Sequence, residues 1–211
     1  MALYLDSAMV RDAEVVKTWG WVKGITTNPT LLAKSDRPVK ETLRKLAELT
    51  PGVLYYQLTA TDVNGMVSEG KAATDLIGNA TVLKIPATET GFQALARLSP
   101  EITCSVTAIY SPAQALVAKE GGAKYAIVYL NRATRLMGDG TSLLREVAKV
   151  LQGSRMEILT ASIKSSQEAA DAAIAGSHHL TLPLETLRAL TTHEFSQQNI
   201  DDFQAQGVGL L

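Results

Sequence analysis

Eight short apolar runs of β-prone residues alternate with stretches of helical periodicity, and no two runs are joined by a hairpin turn. The alternation fills 211 residues, which is enough for eight compact β-α units. Together these features predict an α/β protein: a single (β/α)8 barrel over residues 1–211 with an additional C-terminal helix at about 194–206. A doubly wound open sheet is the competing architecture. It is disfavoured because no glycine-rich dinucleotide fingerprint follows any strand.

The elements follow in order. Ala2–Leu5 reads as the first strand, and Met9–Trp19 as a helix with Val10, Ala13 and Lys17 spaced near one turn. Trp21–Ile25 is the second strand. After the loop Thr26–Thr30, Leu31 and Leu32 open a helical stretch that Lys40–Leu49 continues. Pro51-Gly52 marks a turn before the strand Val53–Leu58. The helix Val63–Ile77 stops at Gly78-Asn79, ahead of the strand Thr81–Ile85. Phe92–Leu98 is helical, Ile102–Val106 a strand, and Pro112–Glu120 a helix with proline early and glycine after its end. Tyr125–Tyr129, Met156–Leu159 and His179–Leu182 complete the strands, and Thr141–Leu151, Gln167–Ala175, Pro183–Leu190 and Glu194–Gln204 the helices.

Composition removes several function classes. Hydrophobic residues make up 46% and charged residues 19%, with a formal net charge of −1. The charges are interspersed, which argues against a nucleic-acid-binding stripe or a polybasic membrane patch. The single cysteine, Cys104, cannot form an internal disulfide, fits a reducing compartment and reads as core. Asp6 and Arg11 interrupt the N-terminus before any long apolar run, so no signal peptide or membrane span is expected, and the location expected is cytoplasmic. The histidines are His178, His179 and His193; the adjacent pair points to opposite faces of a strand, and no Cys/His ligand spacing exists. A metal site is not expected. Trp19 and Trp21 read as packing residues.

Lys84 stands inside a short apolar strand, among Val82, Leu83 and Ile85. Alternation puts Val82 and Lys84 on one face and Leu83 and Ile85 on the other. With both faces covered, the amine is desolvated and its proton affinity falls, which makes it a nucleophile toward carbonyls. The other strands present polar groups at the same end: Asp6; Thr26, Thr27 and Asn28; Gln57; Ser105 and Thr107; Tyr129, Asn131 and Arg132; Ser162 and Lys164. Each has a plain structural reading. Lys84 can be an edge-strand lysine with its head in water, Asp6-Ser7 a helix cap, Thr26–Pro29 a turn, Gln57 a satisfied amide, and Tyr129 a core aromatic. In a barrel, however, they converge on the mouth that carries active sites. The set then suits carbonyl chemistry with polyol recognition.

The segments Tyr4-Leu5-Asp6, Gly24-Ile25-Thr26-Thr27-Asn28-Pro29-Thr30, Val82-Leu83-Lys84-Ile85-Pro86, Tyr129-Leu130-Asn131-Arg132 and Ala161-Ser162-Ile163-Lys164 resemble the transaldolase family. The resemblance is closest to its short members, the fructose-6-phosphate aldolase group, and runs from residue 2 to the C-terminal helix. It implies no metal and no organic cofactor, and a Schiff-base lysine at Lys84, with Asp6 orienting hydroxyls and assisting proton transfer. Thr26, Asn28 and Thr107 are implied to position the dihydroxyacetone unit or a catalytic water. Arg132 and Ser162 match phosphate-binding positions, aided by Lys164. Gln57 and Tyr129 match the aldolase group, where transaldolases carry glutamate and phenylalanine. Ser105 stands where many transaldolases have asparagine, Ile127 where the aldolase group has alanine, and Ile163 where it has phenylalanine. The implied activity is reversible aldol cleavage with dihydroxyacetone as donor and glyceraldehyde 3-phosphate or a similar aldehyde as acceptor. The implied partners are a sugar phosphate or ketose and further copies of the chain, by family resemblance a decamer of pentameric rings. The competing readings are a transaldolase and, outside enzymes, a sugar-phosphate-binding barrel.

Overall fold

In the computed structural model, which describes residues 1–210, eight strands close into a barrel in chain order. They are β1 (Ala2–Asp6), β2 (Val22–Thr26), β3 (Val53–Gln57), β4 (Thr81–Pro86), β5 (Cys104–Ile109), β6 (Tyr125–Tyr129), β7 (Glu157–Ala161) and β8 (His179–Leu182). Every neighbouring pair is parallel, and β8 closes on β1 with Ala2 opposite His179. The helices are α1 (Val10–Lys17), α2 (Pro29–Leu32), α3 (Val39–Leu49), α4 (Val63–Ile77), α5 (Glu89–Leu98) and α6 (Pro112–Glu120). They continue with α7 (Leu130–Met137), α8 (Gly140–Leu151), α9 (Ser166–Ile174), α10 (Leu184–Ala189) and α11 (Glu194–Gln206).

Strand alternation separates two cores. Outward residues such as Leu5, Leu83, Ile85 and Val106 pack with the helices in one large cluster. Inward residues Tyr4, Tyr55, Val82, Tyr125, Ile127 and Leu159 form a second cluster inside the barrel. Within it four rings make a closed cycle: Tyr4 to Tyr55 and Tyr55 to Tyr125 at 5.7 Å, Tyr125 to His179 and His179 to Tyr4 at 5.8 Å. His179 is fixed by the Ala2 amide, which donates to Nδ1 at 3.1 Å, and by Glu157, 3.1 Å from Nε2. The aromatic cycle is a floor on the N-terminal side of Lys84.

Three local features differ from the sequence-based expectation. The stretch after Leu32 does not continue as one helix: α2 ends there and α3 begins after Pro38, whose ring suits a helix start. The fifth strand runs from Cys104 to Ile109 rather than from Ile102 to Val106; its register with β6 shifts between Val106 and Ile109, where Ala108 has φ +60°. The residues after Tyr129 are not a loop but helix α7, with Leu130 and Ala133 buried at helical spacing. Eight residues with two buried positions leave little periodic signal.

Close approach of helix to strand explains one glycine. A Cβ on Gly91, in the first turn of α5, would lie 2.0 Å from the Pro86 carbonyl oxygen at the end of β4. The Lys84 strand and its following helix therefore meet backbone to backbone. Gly91→Ala is expected to cost roughly 1–3 kcal/mol as an overpacking strain. Urea unfolding should show a lower midpoint with an unchanged m-value.

Candidate active site

The C-terminal ends of the strands enclose a cavity of about 400 Å3. Lys84 reaches it from β4 and is 2% exposed. Its Nζ donates to the backbone carbonyl of Thr27 at 2.9 Å. Among the described residues no carboxylate pairs with it within 4.0 Å. Burial pushes its proton affinity below that of an ordinary lysine, with Asp6 acting in the opposite sense. Thr27 holds that carbonyl in place: it is fully buried, and both its amide and its hydroxyl donate to the Tyr55 carbonyl, at 3.1 and 2.7 Å.

Asp6 lines the same cavity from β1. Its Oδ1 accepts from the Thr26 hydroxyl at 2.7 Å, and the Thr26 oxygen lies 2.6 Å from Thr181 Oγ1. Since Thr26 gives its proton to the carboxylate, Thr181 must be the donor in the second contact. A directed chain of hydroxyls thus runs from β8 through β2 to Asp6. Ser7, rather than Asp6, serves the local turn, accepting from the Met9 amide and donating to Asp12.

Tyr129 stands at the end of β6, its hydroxyl 2.9 Å from Thr107 Oγ1. Burial raises the tyrosine's pKa, against the Thr107 bond and the Arg132 charge, which lower it. Gln57 enters from β3 with its Oε1 buried and, among the described residues, without a hydrogen-bond partner. An unpaired buried carbonyl oxygen is costly, so this atom is available to a polar group inside the cavity. Asn28 caps α2, accepting from the Leu31 amide at 3.0 Å through Oδ1, which leaves its Nδ2 as a free donor to the cavity it lines.

The rim is cationic. Arg132, on the first turn of α7, lies over the Tyr129 ring with its guanidinium carbon 4.9 Å from the centroid. Ser162 follows β7 with φ +59°, and Lys164 stands two residues further. Lys34, across the mouth just after α2, also lines the cavity. Among the described residues none of these three cations forms an ion pair, and Asp6 is the one carboxylate in the lining. Such a field favours an anionic ligand.

The structure therefore gathers Lys84, Asp6, Asn28, Gln57, Tyr129, Arg132, Ser162 and Lys164 around one space. Thr107 touches it through Tyr129 and Thr26 through Asp6. Ser105 does not line it: the side chain is fully buried and its hydroxyl donates to the Leu83 carbonyl at 2.8 Å. Ile127 belongs to the barrel interior and Ile163 to the outer core. Burial pushes the Cys104 thiol up to about 12, which leaves it inert as a nucleophile at neutral pH. Among the described residues no group of three or more histidine, cysteine or acidic side chains is placed to hold a metal, and no helix is long and apolar enough to cross a membrane. Lys34 was not singled out from the sequence. Thr30 and Lys34 are four residues apart, the one signal that they share a helical face.

Residues 3–208 match the family model described as Transaldolase/Fructose-6-phosphate aldolase. The chain belongs to that family. Among similar curated proteins, a "Probable transaldolase" of Symbiobacterium thermophilum is 34% identical over 206 residues, covering 96% of this chain and 95% of the relative. A "Probable transaldolase" of Exiguobacterium sibiricum is 35% identical over 209 residues, covering 97% of each. Among solved structures, a mandelate oxidase superposes with a TM-score of 0.61 at 17% identity over 87% of this chain; the match spans 64% of the oxidase and concerns the fold alone. Membership in the transaldolase/fructose-6-phosphate aldolase family makes this chain an enzyme of the aldolase or transaldolase type.

Burial of Lys84 has a thermodynamic cost. An unfolded lysine holds its proton up to about pH 10.4, whereas the folded one binds it less well. The unfolded state binds more protons, so stability rises with pH toward the ordinary lysine range. Lys84→Met is expected to raise Tm, by roughly 2–4 °C for each kcal/mol relieved. The gain should be largest in neutral and acid buffer and shrink as pH approaches 10. Calorimetry of both proteins across pH checks it.

Proposed function

We propose that this protein is a class I aldolase that cleaves and forms ketoses through an imine on Lys84, with dihydroxyacetone as donor and a phosphorylated aldehyde such as glyceraldehyde 3-phosphate as acceptor. The observation that carries the reading is the Lys84 amine: buried, in no ion pair within 4.0 Å among the described residues, and hydrogen-bonded to a carbonyl oxygen inside a polar cavity. Its nitrogen adds to the ketose carbonyl, and loss of water gives the protonated imine. Asp6 removes the proton of the hydroxyl beyond the scissile bond. The C–C electron pair then moves to the imine as an enamine, and the aldehyde departs. Arg132, Ser162 and Lys164 hold its phosphate, the guanidinium offering paired donors.

Aldol release further requires a proton delivered to the enamine carbon, and then water to hydrolyse the imine. Tyr129 is the donor in this reading, with Thr107 and Gln57 holding the water beside it. The Tyr129–Thr107 contact of 2.9 Å and the unpartnered Gln57 oxygen support that assignment. A second reading, transaldolase, is favoured by the names of the relatives, each a "Probable transaldolase". A transaldolase keeps the enamine until a second aldehyde arrives and needs no proton donor at that carbon. The cytoplasm, suited to a buried reduced Cys104, is the location that accompanies either reading.

Borohydride reduction with dihydroxyacetone tests the imine: the adduct should map to the peptide containing Lys84 and vanish in Lys84→Met. Product partition tests the reaction type. Tyr129→Phe should lower release of free dihydroxyacetone by about 10²-fold or more while sparing transfer from fructose 6-phosphate to erythrose 4-phosphate. A wild-type enzyme that transfers faster than it releases would establish the transaldolase reading instead.

The homo-oligomer is part of the same proposal. Helix α11 has no buried residue in the single chain, and Phe195, Ile200 and Phe203 are exposed on it. An apolar helix face of this kind suits a neighbouring copy. A chain ending before His193 should show a smaller assembly by light scattering. An unchanged subunit number would remove α11 from the interface.

A further inference from the structure

We propose that Glu168 is a positioning residue for phosphate recognition: its carboxylate locks helix α7, which carries Arg132, to the β7–α9 loop, which carries Ser162 and Lys164. The inference rests on the phosphate-reading role given to those three residues above.

Glu168 lies in the first turn of α9, three residues after Ser165, whose hydroxyl accepts from the Glu168 amide at 3.1 Å. That spacing is the pattern of a capping box, in which the glutamate turns back onto the cap residue's own amide. Here the side chain does something else. Oε2 accepts from the Lys164 amide at 2.7 Å, and Oε1 accepts from Asn131 Nδ2, also at 2.7 Å, across 37 residues of sequence. Asn131 closes the link from its other end, its amide donating to the Ser162 carbonyl at 3.0 Å. Each of the three phosphate-side residues is therefore the clamped residue or its neighbour. Arg132 follows Asn131, Lys164 gives its own amide, and Ser162 gives its own carbonyl while held at φ +59°.

The need for such a lock follows from the topology. Arg132 and Lys164 project from segments that follow different strands, β6 and β7, and both side chains are exposed. Neither is held by an ion pair among the described residues. Two exposed cations reading one phosphate depend on the spacing of their backbones, and a misplacement of about 1 Å weakens a bidentate grip strongly. A carboxylate accepting two short bonds from the two segments sets that spacing. Its two oxygens are taken by an amide and a side-chain NH2, and among the described residues it forms no ion pair with Arg132 or Lys164.

The test compares Glu168→Ala, Asn131→Ala, the double variant and Arg132→Ala, using dihydroxyacetone with either glyceraldehyde 3-phosphate or glyceraldehyde. Glu168→Ala should raise KM for the phosphorylated aldehyde about tenfold, the scale of one charge-assisted hydrogen bond. The kcat values and the KM for glyceraldehyde should stay within about twofold. Asn131→Ala should reproduce the defect, and the double variant should add little to either, because both cut the same link. If Glu168→Ala weakens α9 and fails to fold, Asn131→Ala gives the same readout without touching the helix cap. An Arg132→Ala defect confined to the phosphorylated aldehyde, with Glu168→Ala and Asn131→Ala unaffected, would overturn the lock and leave the phosphate reading standing. Equal losses on both aldehydes in the Glu168 variant would make the residue merely structural. An Arg132→Ala enzyme with unaltered KM for glyceraldehyde 3-phosphate would overturn the phosphate reading and the lock with it.

Discussion

An amine with a carbonyl oxygen for its partner, held where water is scarce, is the arrangement around which the rest of this barrel is built. A carboxylate partner or contact with solvent favours the charged amine. Lys84 has no ion-pair partner within 4.0 Å among the described residues and is buried, which lowers its proton affinity. The closed sheet covers its strand on the inner and outer faces, and the Thr27 carbonyl takes one N–H without supplying a charge. That carbonyl is aimed by two bonds from Thr27 to Tyr55, so the second threonine of the Thr-Thr-Asn-Pro loop acts through its backbone. Asp6 stays near enough to influence the amine while its own oxygen is occupied by the hydroxyl chain from Thr26 and Thr181.

Departures from regular geometry collect at the same end of the barrel. The non-glycine residues at positive φ are Ala108 and Ser162, following β5 residue Thr107 and β7 residue Ala161 respectively. The β5 irregularity lies between Val106 and Ile109 and spans Thr107, which meets Tyr129. Strain of this sort persists where surrounding contacts over-determine it, and here it turns polar side chains toward one point. The opposite end of the barrel is aromatic, and its one irregularity among the described strands is the register shift of β1 against β2 between Leu3 and Leu5.

The barrel and the lysine were legible because both rest on patterns with a strong period. Val82, Leu83 and Ile85 flank one charge in a strand, a run that an edge strand would also accommodate, and the polar groups at the other strand ends decided for a doubly covered sheet. Strand-end polar residues were legible for the same reason, since a parallel barrel sends every strand's C-terminus to one mouth. What escaped was set by tertiary contact. Helix α7 has too few buried positions to announce itself, so Arg132 looked like a loop residue. Ser105 sits at a strand position that resembles its neighbours in sequence, yet its hydroxyl is spent on the Leu83 carbonyl. Glu168 read as an ordinary first-turn glutamate, because the asparagine it meets lies on another β-α unit. Lys34 lay in a stretch that appeared continuously helical until Pro38 broke it.

The ring of Tyr4, Tyr55, Tyr125 and His179 packs the barrel interior behind Lys84, so the amine is approached from the mouth at the C-terminal ends of the strands. For a ketose bound under the proposed chemistry, the carbonyl must go in first and the phosphate must stop at the threshold. After cleavage, the fragment attached to Lys84 is behind the fragment at the rim. The aldehyde therefore has to vacate before water or another aldehyde can reach the enamine. Approach from the mouth alone would impose an ordered release, aldehyde first, on either outcome, hydrolysis or transfer. The choice between them becomes a contest of timing between a proton already inside and a sugar still outside.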